Sequence, residues 1–132
     1  MNLEINKSNW FSTEVFSTVL DKAYCDEINS IVEKDQDQWK NNLKNIKAKT
    51  SGWNGLRYPI VKEVADFACD KLLPSIGEVK KWKYSNWKTE EAWINFYQKG
   101  DVANLHNHFF SDYCGVFITK TEASTLRFVT PL

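Results

Sequence analysis

Apolar residues recur at one spacing in the first half of this chain and at another in its last third. That change of period limits the fold more than any other feature. Ala23, Tyr24, Ile28, Ile31 and Val32 lie at spacings that place side chains on one helical face, and Asp21 stands where an N-cap belongs. Ile60, Val61, Val64, Ala65, Phe67, Ala68, Leu72 and Leu73 form a second apolar face, with Pro59 in its first turn and Pro74 as its predicted end. Gly77 is expected to break the chain before segment 78–90. From Ala92 the pattern turns aromatic and β-branched. Residues 92–97 and 113–119 read as strands, and 126–129 as a third after a turn near 121–124, with Gly100-Asp101 as a turn. Residues 1–18 read as an extended lead-in, 33–51 as a frayed helix end and loop, and 51–55 as a turn. Helices first, then mostly antiparallel strands, predict an α+β fold.

A chain of 132 residues has room for one domain and one core. Its 17 basic and 17 acidic side chains cancel, which argues against bulk capture of nucleic acid or of an anionic membrane. The sequence has no apolar run of bilayer length, and its first residues lack the layout of a signal peptide. No membrane partner and a cytoplasmic location are therefore expected. Cys25, Cys69 and Cys114 are odd in number and form no CxxC pair, so neither a disulfide framework nor a zinc ribbon is indicated. Cys114 reads as a small core residue. Glu33, Asp35 and Asp37 read as a solvated helix end, and Gly52 and Gly55 as turn residues around Trp53.

The two histidines of the chain, His106 and His108, are one residue apart. In an extended segment such residues point to the same side, so both imidazoles could meet one Fe(II), Zn(II) or Mn(II) ion. A surface or structural pair is the plainer alternative. The run Lys80-Lys81-Trp82-Lys83-Tyr84-Ser85-Asn86-Trp87-Lys88 interleaves basic and aromatic residues and could stack bases. Rings turned inward with lysines outward is the favoured reading there, so a nucleic-acid module ranks low. An HNH nuclease is set aside, because residues 113–119 read as strand where that motif needs a helix.

The residues around the histidine pair add a likeness. Trp93-Ile94-Asn95, Gly100-Asp101, His106-Asn107-His108, Ser111 and Gly115-Val116-Phe117 resemble the Fe(II)/2-oxoglutarate-dependent oxygenases of marine bacteria and their phages. The spacing of Tyr97, Gly100, His106 and His108 also resembles the prolyl-4-hydroxylase pattern, with His108 where that wider group has Asp. Trp10-Phe11-Ser12-Thr13 and Ser51-Gly52-Trp53 are similar to the family's lead-in.

The resemblance implies N-terminal helices packed on a partial double-stranded β-helix (jelly-roll) sheet. It implies a single oxygenase-like domain over 1–132, mainly helical to 90, with the first jelly-roll strands in 91–132 and its C-terminal part missing. It implies Fe(II) held by His106 and His108, with 2-oxoglutarate as co-substrate and Tyr97 beside it. No residue is assigned a catalytic role. The family's distal His and its 2-oxoglutarate-binding Arg have no counterpart here: no histidine follows His108, and Arg127 comes too early. Asp101, Asp112 and Glu122 are carboxylates that could replace the missing ligand, and spacing favours none. The chain is accordingly expected not to turn over alone. A non-catalytic oxygenase-like scaffold or binding subunit is the second reading. Self-association through an open sheet edge is expected.

Overall fold

The computed structural model describes residues 3–10, 13–108, 110–122 and 124–128. They form a mixed α/β fold with two small antiparallel sheets. The expected lead-in is a hairpin of β1 (Asn6–Trp10) and β2 (Thr13–Ser17); Phe11 and Ser12 lie outside the described residues. Helix α1 (Lys22–Asp35) follows where the apolar spacing predicted it. Asp21 occupies the N-cap position, but its side chain makes no capping hydrogen bond.

Segment 33–51 is not the loop its composition suggested. After one short 3-10 turn, Gln36–Gln38, it forms β3 (Lys40–Leu43) and β4 (Ile46–Thr50). The alternation responsible is Ile46, Ala48 and Thr50 inward, with Lys47 and Lys49 on the other face. Lys49 reaches back to Asp37 at 3.0 Å and also donates to Gln36. Asp35 is no solvated end either: it accepts the Tyr58 hydroxyl at 3.0 Å.

β4 is the middle of a four-stranded sheet. β3 pairs with one edge, and β5 (Asn95–Phe96) and β6 (Val102–Ala103) share the other. The registers Thr50↔Asn95, Lys49↔Phe96, Lys47↔Val102 and Ile46↔Ala103 make β5 and β6 one interrupted strand. The interruption is the expected turn: Asp101 N–H donates to the Gln98 carbonyl at 2.9 Å, and Gly100 takes the positive φ of 88°. Expected strand 92–97 is thus shortened to its centre.

The second apolar face runs on past its predicted stop. Helix α2 (Pro59–Phe67) has Pro59 in its first turn and passes through a π turn, Ala68–Leu72, into α3 (Leu73–Lys80). In a regular α-helix the Pro74 ring would strike the carbonyl four residues back. The wider π turn lies over that carbonyl and lets the helix continue. Gly77 is buried inside α3 rather than breaking it, and the Trp82 ring packs over it: a Cβ there would sit 3.1 Å from Trp82 Cε3. The helix stops at Lys81, whose φ of 55° is left-handed, with Trp82 N–H bonded to the Gly77 carbonyl at 2.9 Å. Lys81→Gly is expected to stabilise the protein by about 0.5–1 kcal/mol, seen as a thermal midpoint a few degrees higher. No rise would mean that the left-handed residue costs nothing here.

Ile28, Ile60 and Val61 form the buried centre, with Tyr24, Ile31, Tyr58, Val64, Ala92, Ile94 and Phe117 packed round it. Segment 113–119, an expected strand, has no strand partner among the described residues. It still docks through Phe117 in the core and Thr119, whose hydroxyl donates to Asn29 Oδ1 at 2.8 Å. Val116 and Ile118 face outward, and Cys114 is exposed rather than in the core. Residues 126–128 form no strand, and Val129 lies outside the described residues. No helix among the described residues is long and apolar enough to cross a membrane.

Glu14 ties the first hairpin to α3, accepting from Lys7 on one oxygen and from Lys80 on the other. Those hydrogen bonds, Lys7 first, hold its carboxyl below the ordinary range against a smaller opposing effect of burial. The folded pKa lies below the unfolded one, so the tie is complete above the unfolded value and lost as pH falls through the folded one. Amide protection in β1 and β2 is expected to fall as acid protonates this carboxyl, below the ordinary glutamate range. Glu14→Gln should lower it already at neutral pH, and equal protection in both proteins would refute the tie.

Candidate metal centre

The sheet's edge strand delivers the histidines. Just after β6, Asn104 N–H donates to the Asn45 carbonyl in the β3–β4 turn at 2.8 Å. The Asn104 carbonyl accepts from His106 Nδ1 at 2.6 Å. A carbonyl can only accept, so Nδ1 carries the proton and neutral His106 keeps its lone pair on Nε2. A backbone carbonyl behind one ring nitrogen, with the other free, is how proteins commonly orient a metal-binding imidazole.

His108 stands beside it. The two ring centroids are 5.0 Å apart with planes at 70°. Two imidazoles bonded to one ion at about 2.1 Å would hold their centroids roughly 4.5–5.5 Å apart, and the observed spacing falls in that range. Both side chains are exposed, which leaves room for other ligands. The two rings lie beside each other, although residues 104–108 form no strand.

A third ligand is not in place. Among the described residues no group of three or more His, Cys, Asp or Glu side chains could hold a metal. Of the carboxylates weighed, Asp101 accepts Gln98 N–H at 2.8 Å and Glu122 lies 4.0 Å from Lys120. The residues present therefore supply two ligands of a facial set of three, and no reaction step is derived from them.

Two aromatic rings were missed as parts of this site. The Trp93 indole stacks on His108, centroids 5.7 Å apart and planes at 30°. Trp53 meets Trp93 edge-on at 4.7 Å. Trp93 is fixed by its neighbours: Ser51 N–H donates to the Ile94 carbonyl at 3.0 Å, Ile94 N–H donates to Ser51 Oγ at 2.9 Å, and Gly55 N–H donates to the Ala92 carbonyl at 2.7 Å. Trp93, Asn95 and Tyr97 are spaced two apart through β5, a period-two signal visible in the sequence. Asn95 Oδ1 is buried and without a hydrogen-bond partner among the described residues. Partial burial raises the Tyr97 phenol above its ordinary range. A hydrogen bond from Asn95 opposes this, and the charge of Asp101 reinforces it. The phenol is therefore neutral at physiological pH and able to donate.

An open cleft of about 440 Å³ lies beside Trp53, lined also by Asp35, Trp39, Arg57 and Tyr58. None of His106, His108 and Tyr97 lines it. Its guanidinium is committed: Arg57 donates to the Ser51 and Asn54 carbonyls at 3.1 and 2.8 Å and to Tyr58 Oη at 3.1 Å.

The basic-aromatic run has both its indoles occupied. Trp82, Trp87 and Tyr113 pack on one another with centroids 4.7–5.5 Å apart, and only Tyr84 stands free of that cluster at 78% exposure. Two of the three rings of the run are thus turned onto one another and onto Tyr113, and the third faces outward. No protein-family model matches the chain, and no curated protein or solved structure matches it significantly.

Proposed function

We propose that this chain is an Fe(II)- and 2-oxoglutarate-dependent oxygenase-like protein in which His106 and His108 are two of the metal ligands. The observation that carries the reading is the facing pair of imidazoles, with Nε2 of His106 left free by the bond to Asn104. In this reading the four-stranded sheet and the extended segment after Asn104 belong to the first part of a double-stranded β-helix. Tyr97, neutral and hydrogen-bonded to Asn95, would meet 2-oxoglutarate. Bound iron with 2-oxoglutarate would activate dioxygen, one atom of which would hydroxylate a C–H bond while the other would go to 2-oxoglutarate as it loses carbon dioxide and becomes succinate. The chain's own part is to orient two imidazoles and offer a phenol donor.

With two ligands, the chain is expected not to turn over by itself. Oxygen-dependent decarboxylation of 2-oxoglutarate by the purified chain, lost in His106→Ala, would contradict this. Binding is tested with Mn(II), whose free six-line paramagnetic resonance signal falls as the ion is bound. The signal should fall further when 2-oxoglutarate is added, and neither effect should survive His106→Ala or His108→Ala. Absence of binding in the wild type would favour the second reading, a non-catalytic scaffold.

A further inference from the structure

We propose that Trp93 is a positioning residue for His108 and that Trp53 braces it, an inference that rests on the metal reading above. The two histidines are oriented by different means. His106 is held by a hydrogen bond to Asn104, whose N–H is anchored on Asn45. The His108 ring has no such bond among the described residues; it stacks on the Trp93 indole and meets the His106 ring at a steep angle. An exposed imidazole samples several rotamers, and ordering it on metal binding opposes that binding. A ring already laid against a fixed indole has less freedom to lose.

The indole is fixed because its strand is fixed. The hydrogen bonds of Ser51 and Gly55 clamp residues 92–94 on both sides of Trp93. The same loop carries Trp53 and presents its ring to Trp93 at 79°. Gly55 lets the loop come this close: a Cβ there would lie 2.5 Å from the Ala92 carbonyl oxygen. Order thus passes from the sheet through the loop and two indoles to a histidine that the backbone hydrogen bonding leaves loose.

The test compares wild type, Trp93→Leu, Trp93→Phe and Trp53→Leu as full chains, by two readouts. Without metal, the His108 ring protons should show an upfield ring-current shift that is lost in Trp93→Leu and largely kept in Trp93→Phe. With Co(II) as the probe, Trp93→Leu should weaken binding roughly tenfold, Trp93→Phe should restore most of it, and Trp53→Leu should fall between. Matching circular dichroism and thermal midpoints separate positioning from unfolding. Unchanged Co(II) affinity in a folded Trp93→Leu overturns the positioning role and leaves the metal reading standing. A wild type that shows the ring-current shift but binds no Co(II) removes the metal reading, and the positioning role with it.

Discussion

Ile60→Ala is expected to cost about 3 kcal/mol of folding stability and to lower the thermal midpoint by roughly 10 °C. Ile60 is buried in the cluster where α1, α2 and the strand segment 92–94 meet, so the lost methyl groups leave a cavity bounded by three elements. Val79 on α3 is 66% exposed, and Val79→Ala should change stability by no more than about 0.5 kcal/mol. Urea unfolding of the two variants measures the contrast. Similar losses from both would mean that the helices do not share the core described here.

Gly55→Ala should be nearly as damaging, for a different reason. Its new methyl would sit 2.5 Å from the Ala92 carbonyl oxygen and 2.9 Å from Trp93 Cα, both backbone atoms that cannot rotate away. Either the loop leaves the strand or the strand shifts, at a cost of about 2–3 kcal/mol. Gly115→Ala meets nothing within 4 Å and serves as the control, with almost no expected effect. The first variant should also disturb His108, because the loop it displaces carries Trp53. A Gly55→Ala protein with wild-type stability would show that the close approach is not needed.

The parts of the fold legible in the sequence were those whose pattern is local and strong. The spacing from Ala23 to Val32 and the run from Ile60 to Leu73 each place one face against the other, and both are helices. β3 and β4 were illegible because Lys and Asn dominate them, and an alternation of three inward residues is faint beside five lysines and asparagines. That miss matters for the site: the β3–β4 turn supplies the Asn45 carbonyl that anchors Asn104, and so His106. Pro74 was misjudged because a proline's effect depends on the turn before it, and a π turn has no sequence signature of its own. The pairing of the histidines was readable from a two-residue spacing. The stack of Trp93 on His108 was not, since it joins a strand to a segment fifteen residues further on. The strand expected at 113–119 has the right residues, but a strand also needs a partner, and propensity does not provide one.

The central claim is that His106 and His108 together hold Fe(II) with 2-oxoglutarate. The most direct measurement is an anaerobic titration of the chain with Fe(II), with and without 2-oxoglutarate, followed in the visible range. The account predicts a metal-to-ligand charge-transfer band that requires 2-oxoglutarate and disappears in His106→Ala and in His108→Ala. No band in the wild type, or a band that survives both substitutions, would contradict it.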